Sequence, residues 1–346
     1  MKAKTRILIA DDSAFARKVV REMLEHETIE VVGAARDGEE ALELVEKLAP
    51  DLVISDLMMP KVNGVEFVRR QMAKRPLPIL ILSAAAQDAA EVLEALGLGA
   101  IDVVRKPTAL ATDDLREIRE QLLAKVQETR EAGVLNLRPR LAVARPLVVI
   151  PAAASSQRID IVVLGISTGG PQALRRIMPL FPRNFPIPFA IVLHMPVGYT
   201  ALYAEKLNET CALEVKEAAE GDILTPGVVL LAQAGRHLTF RRLSNGQVST
   251  QLSVHPMEKL HRPSVDVLFR SAAETFGART LAVVMTGMGD DGKEGAGWIK
   301  AQGGTVITEA ENSCVIYGMP RSVVEAGLSD EAVPLEQMAL SIMSHL

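Results

Sequence analysis

Three short stretches place residues able to do acyl-transfer chemistry directly after apolar runs. In the first, Ile161-Val162-Val163-Leu164 reads as a buried strand, and Gly165-Ile166-Ser167-Thr168-Gly169-Gly170 follows as a tight turn. Pro171 then suits the first position of a helix, whose Leu174, Ile177 and Met178 share one face. A serine at such a turn is exposed where backbone N–H groups and the helix dipole favour developing negative charge. Gly165-x-Ser167-x-Gly169 fits the nucleophile elbow of serine hydrolases, although Gly-rich strand–helix turns also cradle phosphates. The second stretch is Phe189-Ala190-Ile191-Val192-Leu193, which ends at His194. The third, Leu281 to Met285, ends at Thr286-Gly287-Met288-Gly289-Asp290-Asp291-Gly292.

A serine nucleophile needs a base, and the base needs a carboxylate to fix its tautomer and stabilise the imidazolium. His194 is the best base among six histidines, because it alone follows a five-residue apolar strand. Asp290 and Asp291 both suit the third role, and spacing does not choose between them. The chain order Ser…His…Asp differs from the Ser…Asp…His of α/β-hydrolases, so the elbow does not assign that fold.

A different constellation occupies the first 130 residues. Asp11 and Asp12 follow Ile7-Leu8-Ile9, Asp56 follows Leu52-Val53-Ile54, Ser83 follows Ile79 to Leu82, and Lys106-Pro107 follows Val103-Val104. Carboxylates meeting at one sheet edge repel unless a hard cation such as Mg²⁺ neutralises them. A lysine and a hydroxyl beside them supply charge and a hydrogen bond to a phosphoryl group. Helix-period segments separate the strands. They cover a first helix with Phe15, Val19, Val20, Met23 and Leu24 on one face, then Glu39–Leu48, Val65–Met72, Ala89–Leu96 and Asp113–Glu128. Five βα units imply a doubly wound parallel sheet, in which function gathers at the carboxyl ends of the strands.

Composition narrows the class. The chain has 346 residues, enough for two domains. A net charge of −5 lacks the basic footprint of a nucleic-acid binder, and the two cysteines cannot build a disulfide framework. No apolar stretch is long enough to enter a bilayer as a spanning helix, so a cytoplasmic protein without membrane insertion is expected. From Ala132 to Arg158 the periodicity breaks, with Pro139, Pro146 and Pro151, and this reads as a linker; Leu147 to Ile150 could instead be a strand or a docked segment. The expected domains are residues 1–130 and 159–346, joined by 131–158.

On Asp11-Asp12, Asp56 in DLMMPKVNG, Ser83 and Lys106-Pro107, the first domain resembles a response-regulator receiver. The resemblance implies a flavodoxin-like fold and a phosphoryl group accepted on Asp56. It also implies Mg²⁺ held by Asp11, Asp12, Asp56 and the Met58 carbonyl, with Ser83 and Lys106 touching the phosphoryl oxygens. Receivers commonly carry an aromatic three residues before the lysine, where this chain has Val103.

GISTGGPQAL, HMPVGYT, HRPSVDVLF, TGMGDDG and CVIYGMPR together make residues 159–335 similar to the protein-glutamate methylesterases of chemotaxis, the CheB family. That similarity implies a Rossmann-like α/β catalytic domain. Ser167 would be the nucleophile, His194 the general base and Asp291 the orienting acid. The Met288 amide would donate to the oxyanion, Thr168 would help to position His194, and the esterase itself would need no cofactor. The implied reaction is demethylation of glutamate methyl esters on chemoreceptors, with deamidation of receptor glutamines. A histidine kinase of the CheA type would be the phosphodonor, and the receiver would cover the crevice until Asp56 is phosphorylated. Three stretches depart from the family pattern: Ala232-Gln233-Ala234-Gly235 where the family usually shows Ala-Pro-Gly before a later histidine, Glu309 for the usual Gln, and Lys293-Glu294 for the small residues common after Asp-Gly. Two other classes are weighed against this reading. A binding module with a degenerate site fits poorly with all three of Ser167, His194 and Asp291, and a DNA-binding effector fits poorly with the acidic balance and βα pattern.

Overall fold

The computed structural model of the chain describes residues 4–83, 88–106, 112–129 and 158–346. The expected linker 131–158, including Leu147 to Ile150, lies outside them apart from its last residue, as does Pro107. The chain divides into two compact units, Met1–Arg140 and Leu141–Leu346.

In the first unit, β1 (Thr5–Ala10), β2 (Ile29–Ala35), β3 (Leu52–Asp56), β4 (Ile79–Ser83) and β5 (Asp102–Arg105) alternate with helices. These are α1 (Ala14–Met23), α2 (Gly38–Leu48), α3 (Gly64–Lys74), α4 (Ala89–Leu98) and α5 (Thr112–Thr129). The strands are parallel in the order β2-β1-β3-β4-β5, the flavodoxin-like order. Every residue of β3 and β4 is buried, which is why they read as unbroken apolar runs: helices cover both faces. Ser13, Asp37 and Asn63 cap α1, α2 and α3 by accepting from the N–H groups of Ala16, Glu40 and Glu66. Ala10 pairs with Ser55 in register, so Asp11 and Asp56 follow side by side. One expectation is corrected here. Phe15 is 59% exposed, because α1 turns Ala16, Val20 and Met23 inward, three to four residues apart, and leaves Phe15 on the other side.

The second unit contains β6 (Ile161–Ile166), α6 (Gly170–Ile177), β7 (Phe189–Leu193), α7 (Thr200–Asn208), β8 (Glu214–Glu217) and β9 (Val228–Leu231). A hairpin of β10 (His237–Arg242) and β11 (Val248–Ser253) precedes α8 (Val265–Phe276) and β12 (Thr280–Val284). The chain ends with α9 (Lys293–Ala301), β13 (Thr305–Glu309), α10 (Met319–Glu325), β14 (Glu331–Val333) and α11 (Leu335–Ser344). A parallel seven-stranded sheet runs β14-β13-β12-β6-β7-β9-β8. Without the edge strand β8, this is the Rossmann order, and its direction of winding reverses between β6 and β12. Gly165 proves to be part of β6 rather than of the turn: it pairs with Val192 and Val284, and its missing side chain admits Val265 of α8. Pro171 takes the second helical position and Gly170 the first. The strand expected over Leu281–Met285 starts and ends one residue earlier.

Phe269 of α8 is fully buried in the core between this helix and the sheet, among Val163, Val284, Ala296 and Ile299. Truncating it removes a ring from a close-packed interior. Phe269→Ala is expected to destabilise the second unit by about 3–5 kcal/mol, read as a lowered urea midpoint for that unit.

Candidate active site

The two strands that flank the reversal of the second sheet, β6 and β12, and β7 beside them deliver the three residues of interest. Ser167 follows β6, His194 follows β7, and Asp291 lies in the turn after β12. Ile166 pairs with Leu193, and the His194 N–H donates to the Ile166 carbonyl at 3.2 Å, so Ser167 and His194 leave neighbouring strand ends together. The Ser167 N–H donates to the Thr286 carbonyl at 3.0 Å, tying the serine to the third strand as well. Gly169 adopts φ +80°, which lets the chain turn sharply into α6 behind the serine.

His194 Nε2 lies 2.9 Å from Asp291 Oδ2, with both side chains about nine-tenths buried. The other ring nitrogen, Nδ1, is buried and has no hydrogen-bond partner among the described residues. The His261 ring stacks on His194 with centroids 4.2 Å apart, fixing the plane of the imidazole. Asp291 is held in turn by the N-terminus of α8. Its Oδ2 accepts from Val265 N–H, and its Oδ1 accepts from Asp266 N–H and the Ser264 hydroxyl, all within 2.9 Å. Burial opposes the charge on Asp291, but the His194 hydrogen bond and charge and these helix amides outweigh it and hold the carboxyl below the usual carboxylate range. Asp290, by contrast, is exposed and pairs with Lys293 at 3.0 Å. The geometry therefore separates the two aspartates that spacing leaves equivalent. Asp266 moves the opposite way from Asp291: burial and then the Asp291 charge raise its pKa.

The Gly287-Met288-Gly289 turn is pressed against the serine. A Cβ on Gly287 would come within 2.7 Å of Ser167 Cβ, so only glycine permits this approach. Gly318 and Met319 N–H groups clamp the Gly287 carbonyl at 3.1 and 2.8 Å. The Thr286 hydroxyl donates to the Thr168 carbonyl at 2.9 Å and accepts from Ile316 N–H at 3.0 Å. Thr168 itself is buried. Behind this node sits Glu309, fully buried at the end of β13. Its Oε2 accepts from Thr286 N–H at 2.9 Å and its Oε1 from the Ser313 hydroxyl at 2.9 Å. Burial pushes the Glu309 carboxyl up to about 7 despite those bonds.

In the first unit, one oxygen from each of Asp11, Asp12 and Asp56 lies within 4.8 Å of the others. Lys106 Nζ is 2.8 Å from Asp11 Oδ2 and 3.0 Å from Asp56 Oδ2. Burial raises the Asp56 pKa, the Lys106 hydrogen bond and charge lower it, and the Asp11 charge raises it again, with a net upward shift. For Lys106, burial is outweighed by its two carboxylate partners, and its pKa rises. Three carboxylates against one ammonium leave two negative charges uncompensated, and a hard divalent cation suits such an all-oxygen set. Ser83 is buried at the end of β4; its hydroxyl donates to Asp88 at 3.2 Å and its carbonyl accepts from Lys106 N–H. The Met58 side chain is 61% exposed, in the loop after β3. Val103, at the position where receivers commonly carry an aromatic, is buried in β5.

Sequence reasoning passes over His261, Ser264, Thr286 and Glu309 as parts of the site. For Ser264 and its neighbours a signal existed: Ser264-x-Asp266 opens an apolar helix as a capping pattern would. His237, passed over as a base, is indeed structural. It is buried at the start of β10, its Nε2 3.0 Å from the Pro256 carbonyl and its Nδ1 accepting from Ser264 N–H.

Comparison with known proteins covers both units. Residues 162–342 match the CheB methylesterase family, and residues 7–119 match the response regulator receiver domain. The chain is 46% identical over 344 residues to protein-glutamate methylesterase/protein-glutamine glutaminase 5 of Myxococcus xanthus, covering 99% of this chain and 98% of that one. It is 41% identical to the protein of the same description from Halalkalibacterium halodurans, with 99% of each covered. Among solved structures, the Thermotoga maritima CheB methylesterase catalytic domain matches with 41% identity and a TM-score of 0.53, over 54% of this chain and 99% of that one. With its sheet order, its serine turn and both of its units accounted for, this chain belongs to the CheB methylesterase family and carries a response regulator receiver domain ahead of the methylesterase region.

Proposed function

We propose that this protein is a phosphorylation-controlled serine hydrolase that removes methyl groups from glutamate methyl esters on chemoreceptors and deamidates receptor glutamines. The observation that carries the reading is the His194 ring: one nitrogen is bonded to a buried carboxylate, the other is buried and free to accept a proton, and the residue leaves a strand end next to the one that bears Ser167. In this reading His194 Nδ1 takes the Ser167 hydroxyl proton as Oγ attacks the ester carbonyl, and Asp291 stabilises the imidazolium. The Met288 N–H donates to the oxyanion, and Thr168 helps to place His194. The Nδ1 proton passes to the leaving methoxy group, which departs as methanol and leaves an acyl-enzyme. Water, deprotonated by the same nitrogen, then releases the glutamate. An amide substrate follows the same course with ammonia as the leaving group.

Asp56 is the proposed phosphoryl acceptor, with Ser83 and Lys106 on the phosphoryl oxygens. Asp11, Asp12, Asp56 and the Met58 carbonyl are the proposed Mg²⁺ ligands, and a histidine kinase of the CheA type is the phosphodonor. The metal, when bound, neutralises charge between these carboxylates and the phosphoryl group. The proposed domains are residues 1–130 and 159–346 with 131–158 between them, acting in the cytoplasm. Among the described residues, no helix is long and apolar enough to cross a membrane.

The test is methanol release from methylated receptor fragments, with and without a small-molecule phosphodonor and Mg²⁺. Release that depends on Ser167 and rises with phosphodonor is expected. Asp56→Asn is expected to lose that stimulation entirely, since an amide cannot form the acyl phosphate; stimulation that survives the substitution would remove Asp56 from the role.

A further inference from the structure

We infer that Glu309 is a positioning residue that works in its protonated form, as a glutamine surrogate, and that loss of its proton weakens the oxyanion side of the site. The inference rests on the serine-hydrolase reading above. Glu309 touches no reacting atom. It acts through Thr286, whose N–H it accepts, whose carbonyl holds Ser167 N–H, and whose hydroxyl holds the Thr168 carbonyl.

The hydrogen-bond network has a place for the extra proton. In the neutral acid, Oε1–H donates to Ser313 Oγ, and the Ser313 hydroxyl turns to the Ala310 carbonyl 3.1 Å away. Leu335 N–H donates to Ser313 Oγ in either state, so the hydroxyl uses both lone pairs and its one proton. Oε2 goes on accepting from Thr286 N–H. A glutamine side chain would make the same two bonds, with its amide nitrogen facing Ser313.

The ionised acid is less well served. It is fully buried, so its charge meets no solvent. The charged groups facing it are Arg176 of α6 and Glu336 of α11, which pair with each other at 3.1 Å and act in opposite senses. The Cys314 thiol lies against the Glu309 carbonyl, and burial followed by the Glu309 charge pushes its pKa up, so it stays neutral. An ionised Glu309 would put a negative charge one hydrogen bond from Thr286, two residues before the Met288 N–H. There it would oppose the negative charge that develops on the substrate oxygen.

The experiment compares the full-length protein with Glu309→Gln in two readouts. Activity on methylated receptor fragments is measured from pH 5.5 to pH 9, and infrared difference spectra are taken for the band of a protonated buried carboxyl. Wild type is expected to lose activity above pH 7, roughly tenfold by pH 8.5, while the glutamine variant stays level there. Both proteins should share the same acid limb. The carboxyl band should appear in wild type below pH 7 and be absent from the variant. The same alkaline limb in both proteins, or no such band in wild type, overturns the inference and leaves the esterase reading standing. Absence of any Ser167-dependent hydrolysis in either protein overturns the esterase reading, and the inference with it.

Discussion

Ser167→Ala is expected to lower methanol release by roughly 10⁶-fold, to the level of the background reaction assisted only by binding and the oxyanion donor. The loss is this large because no neighbour can replace the hydroxyl. The turn that follows β6 carries two polar side chains, Ser167 at 8% and Thr168 at 4% exposure, so the second is no more accessible than the first. The backbone bonds that hold the turn, Ser167 N–H to Thr286 and Gly170 N–H to the Ser167 carbonyl, are untouched by the substitution. The variant should therefore keep the wild-type circular dichroism spectrum and urea midpoint. A residual rate within a hundredfold of wild type, in a folded variant, would make another group the nucleophile.

The second large effect is expected at Asp291. Asp291→Asn should lower the rate by roughly 10⁴-fold, with a smaller loss of stability of about 1 kcal/mol. The wild-type carboxylate only accepts: from His194 Nε2, from the N–H groups of Val265 and Asp266, and from the Ser264 hydroxyl. An asparagine of the same shape must turn its NH₂ toward one pair of these partners. If that pair is His194 and Val265, the ring nitrogen Nε2 becomes an acceptor and the proton moves to Nδ1. The nitrogen that should deprotonate Ser167 is then already protonated. Single-turnover hydrolysis with a methyl ester tests this, and a drop of less than tenfold would deny Asp291 its role. The same carboxylate fixes a pH dependence. Its pKa is depressed on folding, so its stabilisation is present above the ordinary carboxylate value and is lost as pH falls through the lower folded value. Glu309 has the opposite sign: its raised pKa gives stability that is complete below about pH 4 and is lost as pH rises through about 7.

What the sequence made legible follows from what each element buries. β3, β4, β6, β7 and β12 lie inside their sheets and are apolar on both faces, so a run of β-branched residues marks them. β8, β10 and β11 carry polar residues in partly exposed positions, and β13 ends in the charged residue Glu309, so apolar runs alone do not reveal them. Phe15 is large and apolar and so reads as inward-facing in the sequence, whereas the buried face of α1 is set by the spacing of Ala16, Val20 and Met23. Strand-end position singles out Ser167, His194 and the Asp290-Asp291 pair, because parallel α/β sheets collect function there, while only the bond to His194 separates Asp291 from its neighbour. The ring of His261 on His194 and the carboxyl of Glu309 behind Thr286 were not legible. Each comes from a separate part of the chain, and only tertiary packing brings it to the site.

The clamp on Gly287 also sets when the site can first exist. Thr286 and Gly287 are held by Ile316, Gly318 and Met319, and the order of synthesis places these after Ser167, His194 and Asp291. A nascent chain that has emerged from the ribosome only as far as Gly292 carries Ser167, His194 and Asp291 and the bond from Ser167 N–H to the Thr286 carbonyl, yet it lacks the two N–H groups that hold the Gly287 carbonyl. The turn beside Ser167 is therefore finished by a segment made after it, and its close fit against the serine is a late product of synthesis.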